Sequence, residues 1–82
     1  MIRKQIAFPG KVPLTRALAA EVVQAAGRFE ARVMLQYEQK TVNAKSMLGI
    51  LSLGTNEKST VTLIAEGVDE EAAAAAVLAV LG

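Results

Sequence analysis

The chain has 82 residues, 52% hydrophobic and 21% charged, with a formal net charge of +1. That is one small domain spanning 1–82, able to bury roughly 60% of its unfolded surface and too apolar for a disordered segment. It contains no cysteine and no histidine, which excludes disulfides, thiol chemistry and every role of an imidazole as base, metal ligand or phosphoryl carrier.

Absence of cysteine favours a cytoplasmic setting. The opening residues Met-Ile-Arg-Lys-Gln lack the apolar run of a secretory signal. The most apolar stretch, 72–81, is too short and alanine-rich to span a bilayer, so no membrane partner is expected. Arg3, Lys4, Lys11 and Arg16 are the only charges in the first sixteen residues, and Glu66, Asp69, Glu70 and Glu71 gather near the other end. Basic residues so dispersed read as a solvated face and not as a nucleic-acid surface.

Residues 2–8 read as a strand, with Ile2, Lys4, Ile6 and Phe8 on one face. Pro9-Gly10 and Pro13 break it, so 9–14 form a loop. Thr15 is a suitable N-cap for a helix reaching about Gly27, with Leu18, Val22 and Ala25 or Ala26 on its apolar stripe. Residues 31–37 alternate as a half-buried strand, Ala31, Val33, Leu35 and Tyr37 facing the core. Glu38-Gln39 makes a tight turn, atypical in lacking Asn-Gly or Asp-Gly, and a short strand follows over 40–43.

Ser46 precedes the apolar segment 47–53. On a helical projection Met47, Leu48 and Leu51 share one side, and Ile50 and Leu53 another. Two helical turns at the edge of a small domain cannot bury both sides. Ile50 and Leu53 are assigned to the core. Met47, Leu48 and Leu51 are expected to be an exposed docking face. Residues 54–59 are a polar loop, and 60–66 a strand with Val61, Leu63 and Ala65 inward. Asp69 reads as the N-cap of a final alanine-rich helix ending at Leu81, with Glu70 and Glu71 suiting its dipole. The order β-α-β-β-α-β-α predicts an α+β fold, a four-stranded antiparallel sheet covered on one face by three helices.

This order, together with the string 40–54 (KTVNAKSMLGILSLG) and the tail 61–67 followed by Asp69-Glu70-Glu71, resembles the phosphocarrier protein HPr of the bacterial sugar phosphotransferase system. The resemblance spans essentially the whole chain and implies an HPr-like open-faced sandwich. It fails at one place. Where the family carries Gly-Ile/Leu-His-Ala-Arg-Pro-Ala, this chain has Pro13-Leu14-Thr15-Arg16-Ala17-Leu18-Ala19. The acceptor histidine falls on Thr15, the arginine on Ala17 and the proline on Leu18, while an arginine stands one place early at Arg16.

A phosphocarrier needs a labile P–N bond, whereas a threonine phosphate is an ordinary ester that holds its phosphoryl group. The pattern is closest to the catabolite-repression HPr-like branch, which lacks the acceptor histidine, although that branch usually keeps the Arg-Pro pair. What the resemblance implies is regulatory phosphorylation at Ser46 by an HPr kinase/phosphorylase, and docking to a LacI-type catabolite-control repressor. The residues alone require of Ser46 only an N-cap, and the two roles are compatible. Thr15 and Arg16 read as a cap followed by a solvated arginine, with a residual anion site as the alternative.

No catalytic constellation, metal ligand set or cofactor motif is expected: Gly10 and Gly54 stand alone, and the acids near Asp69 read as helix-start charges. The expectation is a non-enzymatic regulatory module, with two alternatives. One is a phosphorylation-independent interaction domain, including a homodimer. The other is a carrier of degenerate activity, against which the missing histidine argues.

Overall fold

The computed structural model describes residues 1–7, 16–53 and 60–81. Seven elements follow in order: β1 (Ile2–Ala7), α1 (Arg16–Gly27), β2 (Arg32–Tyr37), β3 (Lys40–Asn43), α2 (Met47–Leu51), β4 (Thr60–Glu66) and α3 (Glu70–Leu81). This is the expected order. Phe8, the loop at 9–14, the Thr15 cap and the loop at 54–59 lie outside the described residues.

The four strands form one antiparallel sheet in the order β1-β4-β2-β3. Ile2 is paired with Ala65 and Ile6 with Val61 on one side of β4, and Val33 with Ala65 and Leu35 with Leu63 on the other. This register brings every inward apolar residue of the three strands onto one face. A one-residue slip would turn them all to solvent. The three helices cover that face: α1 packs on α3 and α2, and α3 also packs on β4, β1 and β2. Val22, Val33, Leu35, Ile50, Val61, Leu63, Val77 and Leu81 are fully buried between the layers. Each buried side chain of this size contributes roughly 1.5–3 kcal/mol.

Two placements differ from the apolar pattern. On α1 the buried stripe is Ala19, Val22, Ala25 and Ala26, while Leu18 is only half-buried. The buried stripe is made mostly of small residues on a helix that packs closely on α3, and the larger leucine is left at the margin. On β4, Ile64 points to the uncovered sheet face yet is buried. Its neighbours across the strands, Arg3 and Met34, have side chains long enough to lie over it. The β2–β3 turn bends at Glu38, whose φ of 55° is the only positive value at a non-glycine among the described residues. The second turn residue, Gln39, lacks a positive φ, so the turn makes do without the Asn-Gly pair that two left-handed residues favour.

Asp69 stands at the expected N-cap position, and its carbonyl accepts from the N–H of Ala73 at 2.9 Å. Its side chain does not cap the helix, which corrects the sequence expectation. The carboxylate turns to the α1–β2 connection, accepting from the N–H of Glu30 at 2.9 Å and of Ala31 at 2.8 Å. Glu70 instead reaches back to accept from the N–H of Gly67 at 3.1 Å. The long-range bonds prevail because two backbone donors on one loop match the two carboxylate oxygens, one each.

The Glu30 bond, reinforced by that from Ala31 and by nearby Lys45, holds the Asp69 carboxyl below its ordinary value of 3.8. The ionised form is therefore favoured more in the folded than in the unfolded chain. Its stabilisation is complete above the unfolded pKa and declines as pH falls through that value towards the folded one. Asp69→Asn presents an NH2 group to one of the two donors. It is expected to lower Tm by several degrees at neutral pH, nearly as much as Asp69→Ala, and to flatten the acid side of the stability profile. Thermal melts from pH 7 to pH 2 measure both effects.

Candidate functional site

The site predicted from sequence centres on Ser46, and the local structure explains why a helix starts there. The Ser46 backbone is extended, at φ −116° and ψ 117°, while its carbonyl already accepts the first helical bond from Ile50 at 3.0 Å. Ser46 Oγ accepts from the N–H of Gly49 at 3.1 Å. That is an N-cap, which satisfies a donor the first helical turn leaves unpaired. The oxygen is the acceptor in this bond, so the cap makes no use of the hydroxyl proton. A Cβ at Gly49 would stand 3.2 Å from Cβ of Val42, so the glycine lets α2 lie close against β3, while Ser46 Oγ at 3.4 Å would be in ordinary contact.

The connection before Ser46 is tied down on both sides. Asn43 Oδ1 accepts from the N–H of Lys45 at 2.8 Å, and the Asn43 carbonyl accepts from the N–H of Ser46 at 3.0 Å. Lys45 Nζ donates to the carbonyl of Phe29 at 2.8 Å in a partly buried contact. At the other end of α2, Lys40 Nζ donates to the Ser52 carbonyl at 2.7 Å, placing a cation where the helix dipole favours one.

Of the two apolar sides of α2, the one assigned to the core is buried, and of the three residues expected to be exposed, Leu48 and Leu51 are and Met47 is not. Ile50 is fully buried, and Leu53, in the turn after the helix, is buried too. Leu48 is 82% exposed and Leu51 37%. Met47, expected on the exposed face, is half-buried and packs against the core. Of the residues at the altered acceptor loop, Arg16 and Ala17 are exposed in the first turn of α1. Thr15 lies outside the described residues. The packing of α1 on α2 sets these two regions on adjoining helices.

Asn43, Lys45, Gly49 and Lys40 carry the geometry around Ser46, and none was singled out from sequence. Asn43 three places before the serine is the one local signal. The partner of Lys45 is a backbone carbonyl sixteen residues earlier, which no side-chain pattern reveals. Among the described residues no cluster of three or more acidic side chains is placed to hold a metal, and no helix is long and apolar enough to cross a membrane.

Residues 3–82 match the family model described as PTS-HPr, the PTS HPr component phosphorylation site. The chain belongs to the HPr family. Among HPr relatives, the HPr-like protein Crh of Halalkalibacterium halodurans is 42% identical over 79 residues, covering 96% of this chain and 94% of that one. The crystal structure of HPr-C-His from Thermoanaerobacter tengcongensis superposes with a TM-score of 0.90 at 38% identity, over 99% of this chain and 91% of that one. That of Crh from Bacillus subtilis, described as a dimer with a swapping domain, superposes at 0.79 and 38% identity, over 99% and 93%. The HPr fold is thus the architecture described above, four antiparallel strands under three helices.

Proposed function

We propose that this 82-residue chain acts as one HPr-like regulatory module in carbon catabolite repression, switched by phosphate at Ser46 and not competent as a phosphohistidine carrier. The single observation that carries this reading is the juxtaposition on α2. A half-buried serine whose Oγ accepts the capping bond stands two residues from Leu48, the most exposed leucine of the described residues. The relatives named Crh support the catabolite-repression assignment.

In the proposed step, Ser46 Oγ forms a bond to the γ-phosphorus of ATP. The bridging P–O bond breaks and ADP departs. The hydroxyl proton passes to a base on an HPr kinase/phosphorylase. The product carries about −1.5 to −2 of added charge beside the leucines, which turns a formal +1 domain slightly acidic. The outer surface formed by Met47, Leu48 and Leu51 then meets a partner, for which a LacI-type catabolite-control repressor is our candidate. The module acts in the cytoplasm, without cofactor or catalytic residue.

Carrier function is set aside on chemistry. No histidine is present anywhere in the chain, and a phosphate on Thr15 would be an ester unable to pass its phosphoryl group onward. A second reading, a phosphorylation-independent interaction domain that pairs with its own copy, draws on the exposed leucines and the dimeric Crh structure.

Incubation with an HPr kinase and ATP, followed by intact mass, tests the first reading. We expect one added phosphate on the wild type and none on Ser46→Ala. An unmodified wild type, or a phosphate that persists in Ser46→Ala, would remove Ser46 from the proposal.

A further inference from the structure

We infer that Lys45 is a positioning residue for the phosphorylation of Ser46, an inference that rests on Ser46 being the phosphate acceptor. The short helix α2 has only five residues, too few to hold its own start in place by helical bonds alone. What fixes the approach to Ser46 is the connection before it. There the Lys45 ammonium reaches across to the carbonyl of Phe29 at 2.8 Å, and the Lys45 N–H is taken by Asn43 Oδ1 at 2.8 Å.

Phe29 belongs to a loop that is itself anchored. The next two N–H groups, of Glu30 and Ala31, are bound by the Asp69 carboxylate. Lys45 therefore attaches the residue next to Ser46 to a fixed point in the domain, not to another mobile segment. A charged donor on a neutral acceptor is among the stronger hydrogen bonds. Attack on phosphorus requires the hydroxyl within a few tenths of an ångström of its productive position. Loss of the tether should leave α2 able to form, because Ile50 and Leu53 still bury it, while Ser46 and its cap become less well placed.

Lys45→Met keeps the aliphatic stem and removes the donor, and Lys45→Arg restores a donor of similar reach. Each is compared with wild type by steady-state kinetics with an HPr kinase and ATP, after a thermal melt has shown the variant folded. We expect kcat to fall roughly ten- to a hundredfold in Lys45→Met with a smaller change in KM, a magnitude typical of slight misplacement. Lys45→Arg should recover most of the rate. Asn43→Ala, which loosens the same connection without removing a charge, should lower kcat in the same sense. The double variant should be little worse than the slower single one, since both act on one tie.

Wild-type kcat in Lys45→Met would overturn the inference. So would an effect confined to KM with Asn43→Ala unaffected, which would make Lys45 a contact for the kinase. If the wild type takes up no phosphate, the reading of Ser46 falls and this inference with it. If the wild type is phosphorylated and the variants keep pace, only the positioning role fails.

Discussion

Ile50→Ala is expected to lower the unfolding free energy by about 2–5 kcal/mol, whereas Leu48→Ala, two residues away on the same helix, should change it by about 0.5 kcal/mol or less. Both residues lie in a run that is apolar nearly all round, so hydropathy alone does not separate them, although helical spacing puts them on different sides. Their surroundings set the two costs apart. Ile50 is fully enclosed in the core, and its truncation removes apolar contacts and leaves a cavity. Leu48 is 82% exposed and loses almost no buried area. In a domain of this size the first change is a large fraction of the total stability. Urea denaturation of the two variants beside the wild type measures both values. A cost of several kcal/mol for Leu48→Ala would mean that this side chain is packed and cannot serve as a docking residue.

Gly67→Ala is expected to destabilise by about 1–3 kcal/mol, which in a domain this small corresponds to a Tm lower by roughly 5–20 °C. Gly67 has φ of 151°, and a Cβ there would stand 2.7 Å from Cα of Ala31 and 3.0 Å from its Cβ. The chain must pass that close because Asp69, two residues on, holds the N–H groups of Glu30 and Ala31. The obstructing atom is backbone. Ala31→Gly should therefore not rescue the variant, since it removes only the second of the two close contacts. Full recovery of Tm in the Gly67→Ala, Ala31→Gly double variant would contradict this account. Thermal melts of the two single variants and the pair decide it.

How much was legible in the residues varied with the range of the interaction. Alternation in 31–37 and 60–66 marked both strands, and serine before an apolar run marked the start of α2, because these signals are local. The strand order was not legible, since the central place of β4 depends on pairing Val61, Leu63 and Ala65 with both β1 and β2 at once. Asp69 misled for the same reason. Asp-Glu-Glu before a run of alanines looks like a helix start, and the carboxylate serves a loop 38 and 39 residues earlier. At the candidate site the serine and the leucines were readable from spacing, while the reach of Lys45 to Phe29 was not, because a backbone acceptor has no signature of its own. Ile64 shows the limit of period-two reasoning. It lies on the outward phase of β4 and is still buried, between longer neighbours.

The strand order has a consequence for how the molecule comes into being. β1 has one partner in the sheet, β4, which begins at Thr60. A chain emerging from the ribosome therefore presents α1, the β2–β3 hairpin and α2 before β1 can pair with anything. Until then β1 and β2 both offer open edges where β4 will lie, the arrangement that invites pairing with another chain. Arrival of β4 joins Ile2 to Ala65, 63 positions apart, and so closes nearly the whole chain into one loop. Folding should accordingly be governed by this late, long-range closure and not by the rapid formation of its helices.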